Sequence, residues 1–472
     1  MKKNYRNLIY IVGMLFICLI PFLLIGVAGR EQSGESNRVT KFPQVYQDGK
    51  WNKNYFKNLG DWFEKNFAFR QEMVSLNARI LSDVFGVSST DKVITGSDGW
   101  LYYSSTLDDY KGENVLSDRG AFNVARIVAL MQKKVEQEGK RFVFTIPPNK
   151  NTLYDEHMPY YEKKTGTTSN LKKITKELED QNVNYVDLYK LFKSQNEVLY
   201  LKRDSHWNNK GAVLAYNAIM DAAKWPHDQY KNAKVTTRKD NIGDLARMLY
   251  PEMAEPEENQ YYPQIFSYDY VGKSKDVEDS EISTISENGS GSLLMYRDSF
   301  GNTLLPFMAG EFSTAKFSKL VPYYIDQEMA ECNPDVVVVE KVERHLNSLA
   351  VQPPMMESPE VKTKTKATKQ SSNTTFQEGK IGNDMYMVMG QLDTKYTKKD
   401  SKIYIKVTSK DKKSKTYEAF PVTIKTKNQS TDYGYQLYLN DESVPTGNVT
   451  TEVMIENGKN MISVKKDQRK WK

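Results

Sequence analysis

Cysteine is almost absent from this sequence, with two among 472 residues. Cys18 lies in an apolar N-terminal run and Cys332 in the polar body, which argues against a disulfide between them and against a cysteine-built metal centre. Histidine is nearly as scarce, at four, so each can be weighed alone. An excess of one charge is lacking too. The 66 Lys+Arg against 60 Asp+Glu leave +6, and no stretch forms a dense basic face free of acids, so nucleic acid is not an expected partner. What is present is ample. The length exceeds one ordinary core and implies about two globular units. Hydrophobic residues at 39% suffice to fill them. The 30 tyrosines suit surfaces that meet sugars or partners, and suit β-sheet cores equally.

One long apolar run exists. Leu8 to Ala28 is an uncharged stretch of about 21 residues, enough to cross a bilayer core as a helix. Lys2, Lys3 and Arg6 precede it, so the positive-inside rule leaves the N-terminus in the cytoplasm and exports everything after Arg30. Two readings stay open. The preferred one is an uncleaved single-pass membrane anchor over residues 1–30, because the run is longer than a usual signal core. Its rival is a cleaved signal peptide with Gly26-Val27-Ala28 as the small-residue site, which gives a secreted protein.

Residues 31–50 are polar and read as a linker. From Trp51 to Gly86 apolar residues recur at roughly helical intervals, which predicts helix packed on a core. KVITGSDGWLYY, with two apolar runs around Ser97-Asp98-Gly99, predicts a β-hairpin. From Gly120 helical and strand patterns alternate. The strands are RFVFTI, VNYVDL, SLLMY and PDVVVVE, and amphipathic helices fall between them, among them the one that follows His206. Such alternation predicts an α/β fold with a parallel sheet and helices on both faces, and ligands gathered at the carboxyl ends of the strands. This domain spans 51–352. Residues 353–379, rich in Pro, Lys, Ser and Thr, read as a second linker. Residues 380–472 carry short alternating strands broken by turns and predict a small all-β domain, expected as a sandwich. It serves as a carbohydrate-binding module or as an interaction and spacer domain.

Three of the histidines, His157, His227 and His345, read as surface or hydrogen-bonded residues. His206 differs. In Arg203-Asp204-Ser205-His206-Trp207, just before a helix, Asp204 and His206 are two apart and on an extended segment point to one side. The carboxylate then orients the imidazole, or both converge on a substrate, while Trp207 on the other side buries itself and fixes the turn. A structural pair or half a metal site would look the same. The second piece is Arg297-Asp298-Ser299-Phe300-Gly301-Asn302, where an apolar strand runs into a predicted helix. A serine there sits at the sheet's carboxyl edge near helix N-terminal amides able to stabilise an oxyanion. An Asp-Ser helix cap would look alike.

Together, Asp-Ser-His-Trp followed about a hundred residues later by Arg-Asp-Ser-Phe-Gly resembles the SGNH-hydrolase-like proteins of the alginate O-acetyltransferase (AlgJ/AlgX) type. The hairpin KVITGSDGWLYY, the loop PPNKNTLYDEHMP, IGDLARML at 242–249 and DVVVVEKVERHL fit the same pattern, so the likeness spans roughly residues 50–350. It implies an SGNH-like fold with Ser299 as nucleophile, His206 as general base and acid, and Asp204 as its orienting residue. The order is permuted relative to ordinary SGNH hydrolases, and Arg297 stands where their block has Gly. The oxyanion donors implied are therefore the Ser299 amide, with Asn302 or Arg297 contributing, and Trp207 stands beside the substrate.

The resemblance further implies an O-acetyltransferase working through an acetyl-serine intermediate on an extracellular or cell-wall polysaccharide. A membrane-bound O-acyltransferase would be the acetyl donor, and no cofactor or metal is expected. The alternatives are an acetylesterase with the same triad, and a non-catalytic polysaccharide-binding or assembly protein.

Overall fold

The computed structural model describes residues 2–24, 42–47, 49–263, 267–362, 367–382, 385–425, 429–440 and 444–471. The Gly26–Ala28 site and linker residues 31–41 lie outside them. The chain divides into two compact units.

The first unit comprises residues 1–104, 202–205 and 239–257. Helix α1 (Lys2–Leu23) takes the charged N-terminal residues into its first turns, and among the described residues no helix is long and apolar enough to cross a membrane. The expected single-pass anchor is thus unsupported, since residues 25–28, which complete the apolar run, are not among those described. Helices α2 (Tyr55–Asn66) and α3 (Arg70–Phe85) follow. Their apolar spacing was expected to mark a core face, yet α2 buries no residue fully and α3 only Ser75 and Ala78. The hairpin forms as its turn residues require. β1 (Val93–Thr95) pairs antiparallel with β2 (Leu101–Tyr103) in the register Val93 to Tyr103, and Asp98 and Gly99 turn the chain at positive φ. Val93 and Leu101 pack with Ala78 of α3 and with Leu245, Ala246 and Leu249 of the short helix Asp244–Leu249.

The second unit holds two sheets. Its α/β half contains β3 (Arg141–Thr145), β4 (Tyr185–Val186), β5 (Asp269–Val271), β6 (Glu281–Ile285), β7 (Ser292–Tyr296), β8 (Thr314–Ser318) and β9 (Val336–Glu340). They lie in the order β4-β3-β9-β7-β8-β6-β5. The first five are mutually parallel, β6 runs antiparallel to β8, and β5 pairs antiparallel with β6. The sheet is therefore mixed. The parallel core matches the expectation, and β5 and β6 add an antiparallel edge that polar, short strands did not announce.

The all-valine run of β9 shows why both faces are covered. Val336 and Val338 join one core with α6 (Asn209–Ala222) and α7 (Gly301–Glu311). Val337 and Val339 join the opposite core with α4 (Asp118–Gln137), α5 (Asn170–Asp180) and α8 (Ile325–Cys332). Alternate residues of a strand point to opposite faces, so a continuous apolar run needs two helical layers. α4 supplies Ala121, Val124, Ala125, Val128 and Met131 at helical spacing, and Ser117 caps it through the Gly120 N–H at 2.9 Å.

The C-terminal strands are β10 (Thr368–Lys369), β11 (Gln377–Ile381), β12 (Met385–Gln391), β13 (Lys402–Thr408), β14 (Ser414–Lys425), β15 (Ser430–Asn440), β16 (Gly447–Asn457) and β17 (Asn460–Trp471). Their pairing order is β10-β17-β16-β13-β14-β15-β12-β11, and β14 passes between two groups of strands, with Ser414–Ala419 paired to β13 and Phe420–Lys425 to β15. The sheet curls on one core, which brings Tyr386 of β12 within 4.7 Å, ring to ring, of Trp471 of β17. Phe420, Val422 and Tyr438 of this sheet pack with α4, and Arg126 of α4 pairs with Glu418 of β14.

Candidate functional site

β7 is buried along Leu293–Tyr296 and delivers the chain to its carboxyl end, where Arg297, Asp298 and Ser299 turn into α7. Arg297 is only 2% exposed. Its N–H continues the ladder to Ser318 O at 2.9 Å. Its guanidinium donates to Val277 O at 2.8 Å, Asp279 O at 3.3 Å and the Asn302 side-chain oxygen. Asp298 ties the turn to the neighbouring strand: Oδ1 accepts Phe300 N–H at 3.0 Å and Oδ2 accepts Val342 N–H at 2.8 Å. Gly301 is required by space. A Cβ there would meet Arg297 Cβ at 2.7 Å and Glu340 Oε2 at 3.1 Å. The turn is clamped on every side.

His206 enters from the segment before α6. A bridge between Tyr200 and Trp207 and a bond from Leu201 N–H to His206 O at 3.3 Å hold it, and Asn208 caps α6 through the Gly211 N–H at 2.9 Å. Trp207 is buried, packs edge-on to Phe300 at 5.0 Å, and donates its indole N–H to Thr303 Oγ1. Phe300 also meets the His206 ring at 4.8 Å. The residue after each candidate catalytic side chain therefore packs on the other, and this pins the two turns together. The result is a hydrogen bond of 2.8 Å between His206 Nε2 and Ser299 Oγ, with both side chains half-buried. With Nε2 unprotonated the serine hydroxyl donates to it, which is the arrangement a base needs to take that proton.

Asp204 belongs to the first unit, where its Oδ2 accepts Asp244 N–H at 3.0 Å. The segment 202–205 is held there by two acids. Asp244 accepts Ser205 N–H at 2.7 Å and Ser205 Oγ–H at 2.5 Å, and Glu257 accepts Lys202 N–H at 2.7 Å and Arg203 N–H at 3.0 Å. Sequence reasoning singled out neither acid. Asp244 stands inside the segment IGDLARML, and a Gly-Asp at a helix start was the available signal.

Three further residues were expected beside the substrate or oxyanion. Trp207 and Arg297 are buried and brace the turns, through the indole N–H on Thr303 and through the terminal guanidinium nitrogens on Asn302, Val277 and Asp279. The Asn302 amide is engaged at both ends, by Arg297 and, as donor, by Glu278 Oε1 at 2.7 Å. The Ser299 N–H is left: among the described residues no acceptor is found for it. Phe300 N–H, by contrast, is taken by Asp298.

Buried ionisable groups lie behind the serine turn. Glu340, at the end of β9, is fully buried and accepts Asp298 N–H through Oε2 at 3.0 Å. Burial, then the charge of Asp298, push its carboxyl well above the usual range. Burial lowers the Lys341 amine and the His345 imidazole. Burial also raises Glu343, whose Oε2 accepts Asn149 N–H at 2.7 Å, to about 7. His227 is a packing residue, with Nδ1 3.0 Å from Trp225 O and its ring edge-on to Tyr216. His157 closes the short turn Asp155–His157.

Residues 93–289 match the family described as SGNH hydrolase-like domain, acetyltransferase AlgX. The matched stretch includes Asp204 and His206 and ends before Ser299. No curated protein matches the chain. Among solved structures, Bacillus cereus PatB1 is 17% identical over 54% of this chain and 96% of that one, with a TM-score of 0.44. The O-acetyltransferase domain of Pseudomonas putida AlgJ is 18% identical over 54% and 92%, with a TM-score of 0.37. Pseudomonas aeruginosa AlgX is 12% identical over 79% and 94%, with a TM-score of 0.34. These structural likenesses are too distant to carry an argument.

Proposed function

We propose, from the likeness of residues 93–289 to the SGNH hydrolase-like domain of acetyltransferase AlgX, that this chain moves acetyl groups through an acetyl-Ser299 intermediate onto hydroxyls of a polysaccharide. The observation that carries the reading is the 2.8 Å bond between His206 Nε2 and Ser299 Oγ at the carboxyl end of β7. His206 takes the serine proton as Oγ attacks the acetyl carbonyl of an ester donor. The Ser299 N–H stabilises the resulting oxyanion. The donor alcohol leaves with the proton from His206. An acceptor hydroxyl then gives its proton to His206, attacks the acetyl-serine, and the proton returns to Ser299. Asp204, two residues before His206 in the chain, takes the role of orienting the imidazole.

The acceptor is an exopolysaccharide or cell-wall polysaccharide outside the cytoplasm, where the basic and then apolar N-terminal segment directs the chain. A membrane-bound O-acyltransferase supplies the acetyl group, since acetyl-CoA is not expected there, and residues 380–472 hold the polymer.

The test uses the full chain with a chromogenic acetyl ester, with and without an oligosaccharide acceptor, followed by intact mass and peptide mapping. Acetylated Ser299 and acetyl transfer to the oligosaccharide are expected. Ser299→Ala should lose about a thousandfold or more of the turnover. Equal turnover by wild type and Ser299→Ala would end the nucleophile assignment. Ester hydrolysis with no transfer to any oligosaccharide would make the protein an esterase.

A further inference from the structure

The turn that presents Ser299 rests on two carboxyl groups that the acyl-transfer steps do not use. Glu340 Oε2 accepts the N–H of Asp298 at 3.0 Å, and Asp298 Oδ1 accepts the N–H of Phe300 at 3.0 Å. The amides on either side of Ser299 are thereby taken by acids, whereas the Ser299 N–H has no acceptor among the described residues. Asp298 Oδ2 reaches Val342 N–H at 2.8 Å, just beyond the end of β9. β7 and β9 are adjacent parallel strands, so the pair staples their carboxyl ends together.

Glu340 is fully buried beside Asp298, and burial and that neighbouring charge both favour its neutral form. Asp298 accepts two amides through separate oxygens. Glu340 accepts one, and its Oε1 is buried with no partner, so a charge on it would be bare. The titratable groups facing this pair are Arg297, Lys319, Lys341, His345, Tyr200 and Tyr323. The guanidinium of Arg297 is committed to backbone carbonyls, and the Lys341 amine lies 5.5 Å over the Tyr323 ring. Burial outweighs the pull of Arg297 on Glu340.

We propose that Glu340 is a positioning residue for acylation of Ser299: as a neutral acid it holds Asp298 and the turn that aims Oγ at His206, and its ionisation loosens that turn. The inference rests on Ser299 being the nucleophile.

The full chain is treated with an aryl sulfonyl fluoride between about pH 5 and 10, and labelling of Ser299 is followed by intact mass. In that reaction Oγ–S forms, S–F breaks, fluoride leaves and the proton goes to His206. Wild type is expected to label, with a rate that falls on the alkaline side. Glu340→Gln, which keeps both an acceptor and a neutral donor, should label within about threefold of wild type near neutrality and lose the alkaline fall. Glu340→Leu should label about tenfold more slowly at every pH. Circular dichroism melting checks its fold, and if it does not fold the profiles of wild type and Glu340→Gln decide. An alkaline fall retained by Glu340→Gln, or wild-type rates in a folded Glu340→Leu, overturns the proposal while leaving the nucleophile in place. A wild type that never labels at Ser299 overturns the nucleophile and this proposal with it.

Discussion

Replacing Gly301 by alanine is a direct probe of how tightly the serine turn is built. An ideal Cβ on Gly301 would lie 2.7 Å from Arg297 Cβ, 2.9 Å from Arg297 Cδ and 3.1 Å from Glu340 Oε2. Ordinary van der Waals contact begins near 3.4 Å, so the added methyl overlaps by up to about 0.7 Å. None of these neighbours swings away cheaply. The Arg297 guanidinium is anchored on Val277 O and Asp279 O, and Glu340 is buried against Asp298. The backbone of the turn must move instead, at about 1–3 kcal/mol for an overpacked site. Alanine returns at most about 0.5–1 kcal/mol of helix preference at this first helical position, which leaves a net loss centred on about 1 kcal/mol and at most about 2.5. A shift of a few tenths of an ångström in the turn also misaims Oγ, and labelling of Ser299 by a sulfonyl fluoride should slow about tenfold. Urea unfolding followed by tryptophan fluorescence reads the first effect and intact mass the second. Gly60→Ala is the control: it lies in α2, a Cβ there would meet nothing within 4 Å, and the change should be neutral or stabilising by up to about 1 kcal/mol. A Gly301→Ala protein with the wild-type urea midpoint and wild-type labelling would refute the clamped-turn argument.

Two further outcomes follow from buried charges away from the serine. Arg126 and Glu418, whose side chains are 14% and 3% exposed, join α4 to β14. Arg126→Met should cost about 3–5 kcal/mol in urea unfolding because it strands a buried carboxylate, and adding Glu418→Gln should recover most of the loss. If Arg126→Met is neutral, the pair is not desolvated as described. Burial holds Glu343 at about 7 in the fold, against about 4.3 for a free glutamate. Between those values the folded state binds the extra proton, so this group's contribution is complete below about pH 4.3 and is lost as pH rises through about 7, by up to about 4 kcal/mol. Glu343→Gln should flatten the fall in stability between about pH 5 and 8, and an unchanged slope measured by urea unfolding would remove Glu343 from that account.

What was legible in the sequence, and what was not, divides along the range of the interactions. β9 could be read because four consecutive valines bury both faces of one strand, and the parallel core followed from alternation alone. The edge strands β5 and β6 could not. β6 takes its register from β8, about thirty residues further along the chain, β5 takes its register from β6, and their composition is largely polar. The same holds at the site. His206 and Ser299 could be named from two local patterns, each weak, because each sits at a strand or helix end where local rules apply. Their contact spans 93 residues and rests on Phe300 and Trp207, two aromatic residues that read locally as mere neighbours. Glu340 was hidden for a sharper reason. As the last letter of an apolar strand it reads as the residue where the strand meets water, whereas it is fully buried and meets Asp298 from the adjacent strand. A polar residue closing a buried strand at the carboxyl edge of a parallel sheet therefore has two meanings, solvated end or buried partner. Only the neighbouring strand decides between them. In this chain the neighbour is the strand that carries the serine.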